Sequence, residues 1–268
     1  MKKILAILLA VIMLFAVVSC GKGEEETEST GKNEAKNEDV YTDEESGDKF
    51  TYDVNDDGKY EIISFSSKNN TPHKIEIPAK IDNVEVSGIA ASAFKANNQI
   101  TEVVIPDSVT YIGDLAFWNC EYLTTVSIPD SVEEMGACVF NNCSSLKTVK
   151  LSASLTTITE CTFLNCEALE EITIPSSVTK IESGAFMLCT SLKEVVIPES
   201  VIEIEDVAFY GDTLLQKATL SSKTVTLGKH IFNAGHAEFT IVADENSAAA
   251  QYAADNGYLF VKAEAAQA

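Results

Sequence analysis

L-T-T-V-S-I-P-D-S-V-E-E-M-G-A-C-V-F-N-N-C-S-S, residues 123–145, is the stretch that decides the fold. Val126, Ser127 and Ile128 alternate and carry β-branched side chains, the pattern of a short strand with one buried face. Pro129 ends that strand, because proline has no N–H to give to a ladder. Val132 and Met135 stand three apart, which predicts a single helical or irregular turn. Phe140 fills the far side of the cross-section. Cys143 then leads the chain back to Leu146, where the same order starts again.

Working outward, the order recurs every 23 residues. Phe occupies 94, 117, 140, 163, 186, 209 and 232. An Ile-x-Ile-Pro type segment recurs at 103–106, 126–129, 149–152, 172–175, 195–198 and 218–221. Ser recurs at 108, 131, 154, 177 and 200, Leu at 123, 146, 169, 192 and 215, and Cys at 120, 143, 166 and 189. Columns held in register over this many cycles are the signature of a repeat solenoid. Each turn has too little core to fold alone, and stacked turns bury one another's apolar faces.

The pattern L-x-x-V-x-I-P-x-S-V-x-x-I-G-x-x-A-F-x-x-C resembles the BspA-type, or treponemal, leucine-rich repeat. It stands at 123–143, 100–120 and 169–189, and less cleanly at 146–166. The resemblance covers about residues 50–262. Ser152 and Ser221 replace the proline and Asp212 replaces the cysteine, which leaves strand ends locally open to change. The implied fold is a leucine-rich-repeat-like curved β-solenoid. The implied setting is the surface of bacteria and some protists, with roles in adhesion and host-protein binding.

Both ends read as caps. Phe50, Tyr52 and Val54 alternate, residues 55–58 turn, and residues 60–65 run apolar, which predicts a β-hairpin. Five extra residues sit around 82–86. Residues 247–255, S-A-A-A-Q-Y-A-A-D, predict a short helix, and residues 258–261 a last strand. Residues 263–268 are a tail.

The start of the chain is a different material. Lys2 and Lys3 precede an apolar run over residues 4–18, short for a membrane-spanning helix but suited to a secretory signal. Val17-Val18-Ser19-Cys20-Gly21 resembles a bacterial lipobox, which implies a signal peptide over 1–19 and lipidation of Cys20. An uncleaved anchor helix or cleavage leaving a free Cys20 thiol are the other readings. Residues 21–49 hold eleven acids, four Lys and little that is apolar, so 20–49 is expected to be a lipidated Cys and a disordered acidic tether. The chain is then exported and lipid-anchored at the cell membrane, facing the extracellular side.

Composition narrows function. Of 268 residues, 46% are hydrophobic and 22% charged, the range of an ordinary globular body. Nineteen bases, all Lys, against 41 acids give a net charge of −22. Phosphate backbones repel such a chain, so nucleic acid is not an expected partner. His73, His230 and His236 are the three histidines and offer little material for catalysis.

Several motifs imitate chemistry. Cys138-x4-Cys143 with Cys161-x4-Cys166 imitates a zinc site, but Cys138 and Cys161 share a column with Leu115, Gly184 and Val207, which marks a packing position. Neighbouring strands lie within Cα range for a disulfide, yet parallel Cβ vectors suit one poorly, so buried free thiols are expected. Residues 53–58 begin like a calcium loop, but Ser64 stands where a bidentate Glu is wanted, and a hairpin turn explains them better. Asn119, Asn142 and Asn165 form a ladder expected to satisfy backbone groups in a turn, and the Ser column is expected to do the same. No metal, cofactor or Ser-His-acid arrangement is expected.

Two columns are candidates for contact with a partner. On the strand face the outward residues are mixed and small, with Glu171 and Glu194 among them. The column after the Phe carries Trp118, Leu164, Met187 and Tyr210, either an exposed apolar patch or the closing side of the core. The expectation is a non-enzymatic, membrane-anchored protein-binding module whose ligand is a host or extracellular-matrix protein, as the resemblance implies. The alternative is a structural envelope lipoprotein without a dedicated ligand.

Overall fold

Every 23-residue cycle becomes one turn of a β-solenoid, and three backbone ladders run along its length. A computed structural model describes residues 39–222, 224–233 and 238–263. The first ladder is the expected short strand. His73–Glu76, Ile100–Val104, Thr125–Ser127 and Thr148–Lys150 stack in parallel. Glu194–Ile197, Lys217–Leu220, Thr240–Ala243 and Leu259–Lys262 form a second parallel stack. Val103 faces Val126 and Val126 faces Val149, so the register advances by one repeat. Alternation buries these valines and turns their neighbours outward.

The second ladder corrects the expected helical or irregular turn. Tyr111–Ile112 pairs in parallel with Glu134–Met135, and Thr157–Ile158, Lys180–Ile181, Glu203–Ile204 and Thr226–Leu227 pair in their own series. Two residues are too few to show a period. They become extended because the same two residues of the next turn offer them backbone partners.

The third ladder passes through the Phe column. Phe94, Phe117, Phe140, Phe163 and Phe186 each donate their N–H to a carbonyl one turn later, for example Phe140 to Thr162 O at 2.9 Å. On the strand side the sense is reversed, with Thr124 N–H donating to Thr101 O at 2.8 Å. The seven rings stack at centroid distances of 4.8–5.6 Å. All seven are at most 2% exposed, so this column is the spine of the core.

Left-handed corners flank each of the six Phe from 94 to 209. Leu115 and Asn119, Cys138 and Asn142, Cys161 and Asn165, and Val207 and Gly211 all have φ between 53° and 84°. Gly184 takes the same conformation without a Cβ to clash, whereas the β-branched Val207 adopts it at a steric cost. Asn tolerates the region well. The Asn side chains do not cap the backbone as expected. Asn142 Nδ2 donates to Asn119 Oδ1 and Asn165 Nδ2 to Asn142 Oδ1, an amide ladder along the solenoid. In the Ser column, Ser108, Ser154 and Ser177 bond carbonyls, while the Oγ atoms of Ser131 and Ser200 are buried without partners.

The caps match their expectations, with the helix and the last strand each one residue later and a larger shift at the N-terminal end. Lys49–Val54 and Tyr60–Ser66 form the antiparallel hairpin. Asn55 Oδ1 accepts from the N–H groups of Asp57 and Lys59, so the calcium-like residues make a turn. The tether expected through residue 49 is shorter than that, because Asp39–Thr42 is a third antiparallel strand on Lys49–Val54. Its residues are mostly exposed, and Tyr41 alone reaches the core rings, 6.4 Å from Phe50. A strand with a single half-buried side chain leaves no hydrophobic pattern to read. The five extra residues are a tight hairpin, Lys80–Ile81 against Val84–Ile89, turning at Asp82 and Asn83 with φ of 48° and 66°. At the far end the helix Ala248–Asn256 starts on Ser247, whose Oγ accepts from Ala250 N–H, and stops on a left-handed Gly257.

Candidate partner-binding face

The strand side presents charged side chains in rows one repeat apart. Lys74 lies 3.4 Å from Glu102, Lys193 lies 3.2 Å from Glu170, and Lys217 lies 3.1 Å from Glu194. The Lys74–Glu102 and Lys217–Glu194 pairs follow from the register, which sets these residues opposite each other on adjacent strands. These pairs are exposed, so each adds little stability.

Glu171 and Glu194 come together here. With Lys147, Thr148, Glu170 and Lys193 they line a shallow depression of about 640 Å³. A neighbouring depression of about 460 Å³ lies over residues 102–107 and 125–131 and reaches Lys150. Val196 is exposed on the same side, two residues from Glu194.

The depression coincides with a break in the strand ladder. Lys147 N–H donates to Thr124 O, and Gln216 N–H to Lys193 O. Residues 170–174 make no such bond to either neighbouring turn, among the described residues. The turn is held one corner earlier, by Ala168 N–H to Ser144 O and Ser191 N–H to Glu167 O. Val149 and Ile172 are 8% and 9% exposed, against 1% for Val126 and Val195, so the turns part at this place. No motif signals the break, because 172–175 reads I-T-I-P like any other turn.

The other candidate column behaves differently. Trp118, Leu164 and Tyr210 are half-buried, and Met187 is buried, which corrects its expectation as an exposed contact residue. The column closes the flank of the core, and Lys95 lies over the Trp118 ring at 4.9 Å.

Titratable groups elsewhere serve the fold. His73 Nε2 lies 3.0 Å from both carboxylate oxygens of the buried Asp48, tying the first strand row to the N-terminal cap. Burial disfavours His73 protonation, but bonds to Thr71 O and to Asp48, with the Asp48 charge, outweigh it and raise its pKa. On the second ladder Lys180 reaches Glu205 at 2.6 Å and Glu182 and Glu203 at 3.7 Å. Burial, then the charges of Glu182 and Glu205, raise the pKa of Glu160 beside this cluster. Among the described residues no group of three or more His, Cys, Asp or Glu is placed to hold a metal ion.

Among the described residues no helix is long and apolar enough to cross a membrane. The apolar run 4–18, Cys20 and most of the expected tether lie outside the described residues.

Among known families, the model of the BspA type leucine-rich repeat region matches six copies, over residues 87–216 and 157–249. No curated protein matches the sequence. The crystal structure of the Treponema pallidum leucine-rich repeat protein is similar with a TM-score of 0.65 and 27% identity, covering 81% of this chain and 97% of that one. A leucine-rich repeat protein from Eubacterium ventriosum shares the fold with a TM-score of 0.60 and 22% identity, covering 72% of this chain and 48% of that one. With the family's repeat matched over most of the solenoid, the chain belongs to the BspA-type leucine-rich repeat family.

Proposed function

We propose that the chain is a non-enzymatic module, lipid-anchored at Cys20 on the outside of a bacterial cell, that holds a protein ligand on its strand face. The observation that carries this reading is the depression at the broken ladder, where Glu170, Glu171, Glu194, Lys147 and Lys193 converge. A polypeptide with complementary charge meets rows of carboxylate and ammonium there, and unpaired backbone groups on residues 170–174. Membership of a repeat family with extended stacked surfaces supports the same reading. The ligand belongs to the host or extracellular-matrix class.

One feature favours the envelope-spacer alternative. The strand face has no aromatic anchor of the kind that dominates binding energy, and several of its charges are already paired within the face. Capture of matrix and host surface proteins by the full chain with Cys20→Ala separates the two readings. Glu171→Lys with Glu194→Lys should reduce capture on the order of tenfold, about 1.4 kcal/mol, without moving the thermal midpoint. Capture that survives this double change removes the strand face from the proposal, and no capture at all leaves the spacer reading. Anchoring has its own check. Cys20→Ala should abolish metabolic labelling with fatty acid, and undiminished labelling rejects the anchor.

A further inference from the structure

The six cysteines of the described chain fall into two sets. Cys120, Cys143, Cys166 and Cys189 are fully buried, and each Sγ donates to the carbonyl of a Phe 26 residues earlier at 3.1–3.2 Å. Burial pushes the Cys120 thiol up to about 12 and the Cys143 and Cys189 thiols well above their usual range. These four are packing groups with satisfied sulfurs.

Cys138 and Cys161 differ. Each is 8% exposed, and neither donates to a Phe carbonyl. They lie on adjacent turns. Cys138 N–H donates to Glu160 O at 2.8 Å and Phe140 N–H to Thr162 O at 2.9 Å, so the carbonyls on either side of Cys161 grip the Cys138 strand. Backbones paired in this way stand about 4.8 Å apart, inside the Cα range of a disulfide. Parallel strands normally hold facing Cβ atoms side by side. Both residues here are left-handed, with φ of 56° and 53°, and each thiol acts on the titration of the other, Cys138 downward and Cys161 upward. The next residue of the column is Gly184, so no side chain stands over Cys161 on that side.

The position carries a second observation. Glu134–Met135 and Thr157–Ile158, on these same two turns, are not paired, and the second ladder is interrupted between them. The Cys138–Cys161 pair spans the junction that lacks this ladder.

We propose that Cys138 and Cys161 are a redox modification site, closing to an inter-turn disulfide that clips the solenoid where its second ladder is broken. The oxidant is a small-molecule disulfide. The Cys138 thiolate attacks one of its sulfurs and expels the first thiolate. The Cys161 thiolate then attacks Cys138 Sγ in the mixed disulfide and expels the second. Two protons and two electrons leave the protein, and one disulfide of the oxidant becomes two thiols. Interaction with Cys161 lowers the Cys138 pKa, while interaction with Cys138 and burial raise that of Cys161, which orders the two steps.

The test uses the reduced full chain carrying Cys20→Ala, treated while folded with oxidised glutathione, then denatured, alkylated and mapped by mass spectrometry. The expected result is loss of two of the six thiols, a cross-linked peptide pair joining Cys138 to Cys161, and alkylation of the other four. Cys138→Ser and Cys161→Ser should each abolish the cross-link, leaving at most a glutathione adduct on the remaining partner. Six alkylated thiols after treatment that oxidises the denatured chain would overturn the proposal. So would a bond that involves Cys120, Cys143, Cys166 or Cys189.

Discussion

Asp212 stands where the other full turns carry a cysteine. Its Oδ1 accepts from Cys189 N–H at 2.8 Å, while Oδ2 is buried without a partner. Burial holds its carboxyl well above the usual carboxylate range, and the Cys189 N–H offsets only part of that. The folded chain therefore keeps a proton that an unfolded chain releases above about pH 4. Where the folded state binds more protons, stability falls as pH rises, until the folded pKa is passed. Asp212→Cys, which restores the thiol of its column, should raise the thermal midpoint at neutral pH. The gain should shrink toward about pH 4, where both states are protonated. Equal midpoints at neutral pH would show that the buried carboxyl costs nothing. His73 has a raised pKa as well. Its contribution is complete below its ordinary pKa of about 6.5 and is lost as pH rises through the folded value.

At the scale of elements, what could be read from the sequence was what side chains record. The Phe, Leu, Cys and Ile-x-Ile-Pro columns name the inward positions of each turn, and those positions are buried. The C-terminal helix was legible because its run of alanines favours a helix, whereas its caps, Ser247 and Gly257, emerged only from the structure. Ladders made by backbone alone were not legible. Tyr111–Ile112 and its successors are two residues long, and Asp39–Thr42 buries too little to stand out from acidic surroundings. Residues 171–175, E-I-T-I-P, match the motif as closely as 194–198, E-V-V-I-P, yet only the second forms a strand. The pattern dictates which side chains face inward. Ladder closure needs adjacent turns to keep strand spacing, and no single turn encodes that. The face holding Glu171 and Glu194 could be named from outward positions, whereas the break that gathers them could not. Amide exchange checks the break. Thr124 N–H donates to Thr101 O and Ile128 N–H to Lys150 O, both at 2.8 Å. Their equivalents Glu170 and Ile174 have no backbone acceptor in a neighbouring turn. The amides of Glu170 and Ile174 should exchange at least on the order of tenfold faster than those of Thr124 and Ile128. Matched protection would mean that the ladder is closed in solution.

For the whole molecule, stability is a sum over turns and the contacts between neighbours, because each turn touches only the next. Phe163 lies between Phe140 at 5.6 Å and Phe186 at 5.4 Å. Phe232 is nearly as well covered, by Phe209 at 5.5 Å, Phe239 at 5.1 Å and Tyr252 at 6.2 Å, and Tyr258 donates to its carbonyl. The C-terminal cap thus seals its end of the ring stack, and burial alone gives both residues a similar local cost. Truncating a Phe in a close-packed core typically costs about 3–5 kcal/mol. Position along the stack makes the difference. A gap at Phe163 weakens contacts to both halves beside the turns whose strand ladder is already open, so the solenoid loses its continuity at the centre. A gap at Phe232 leaves the turns before it stacked and loosens only the C-terminal cap. Phe163→Ala should lower the main unfolding midpoint more than Phe232→Ala. Phe232→Ala should instead strip amide protection from residues 240–243 and 259–262 before the rest of the chain unfolds. Equal shifts of a single transition in both variants would show that the chain unfolds as one unit, with no end that frays by itself.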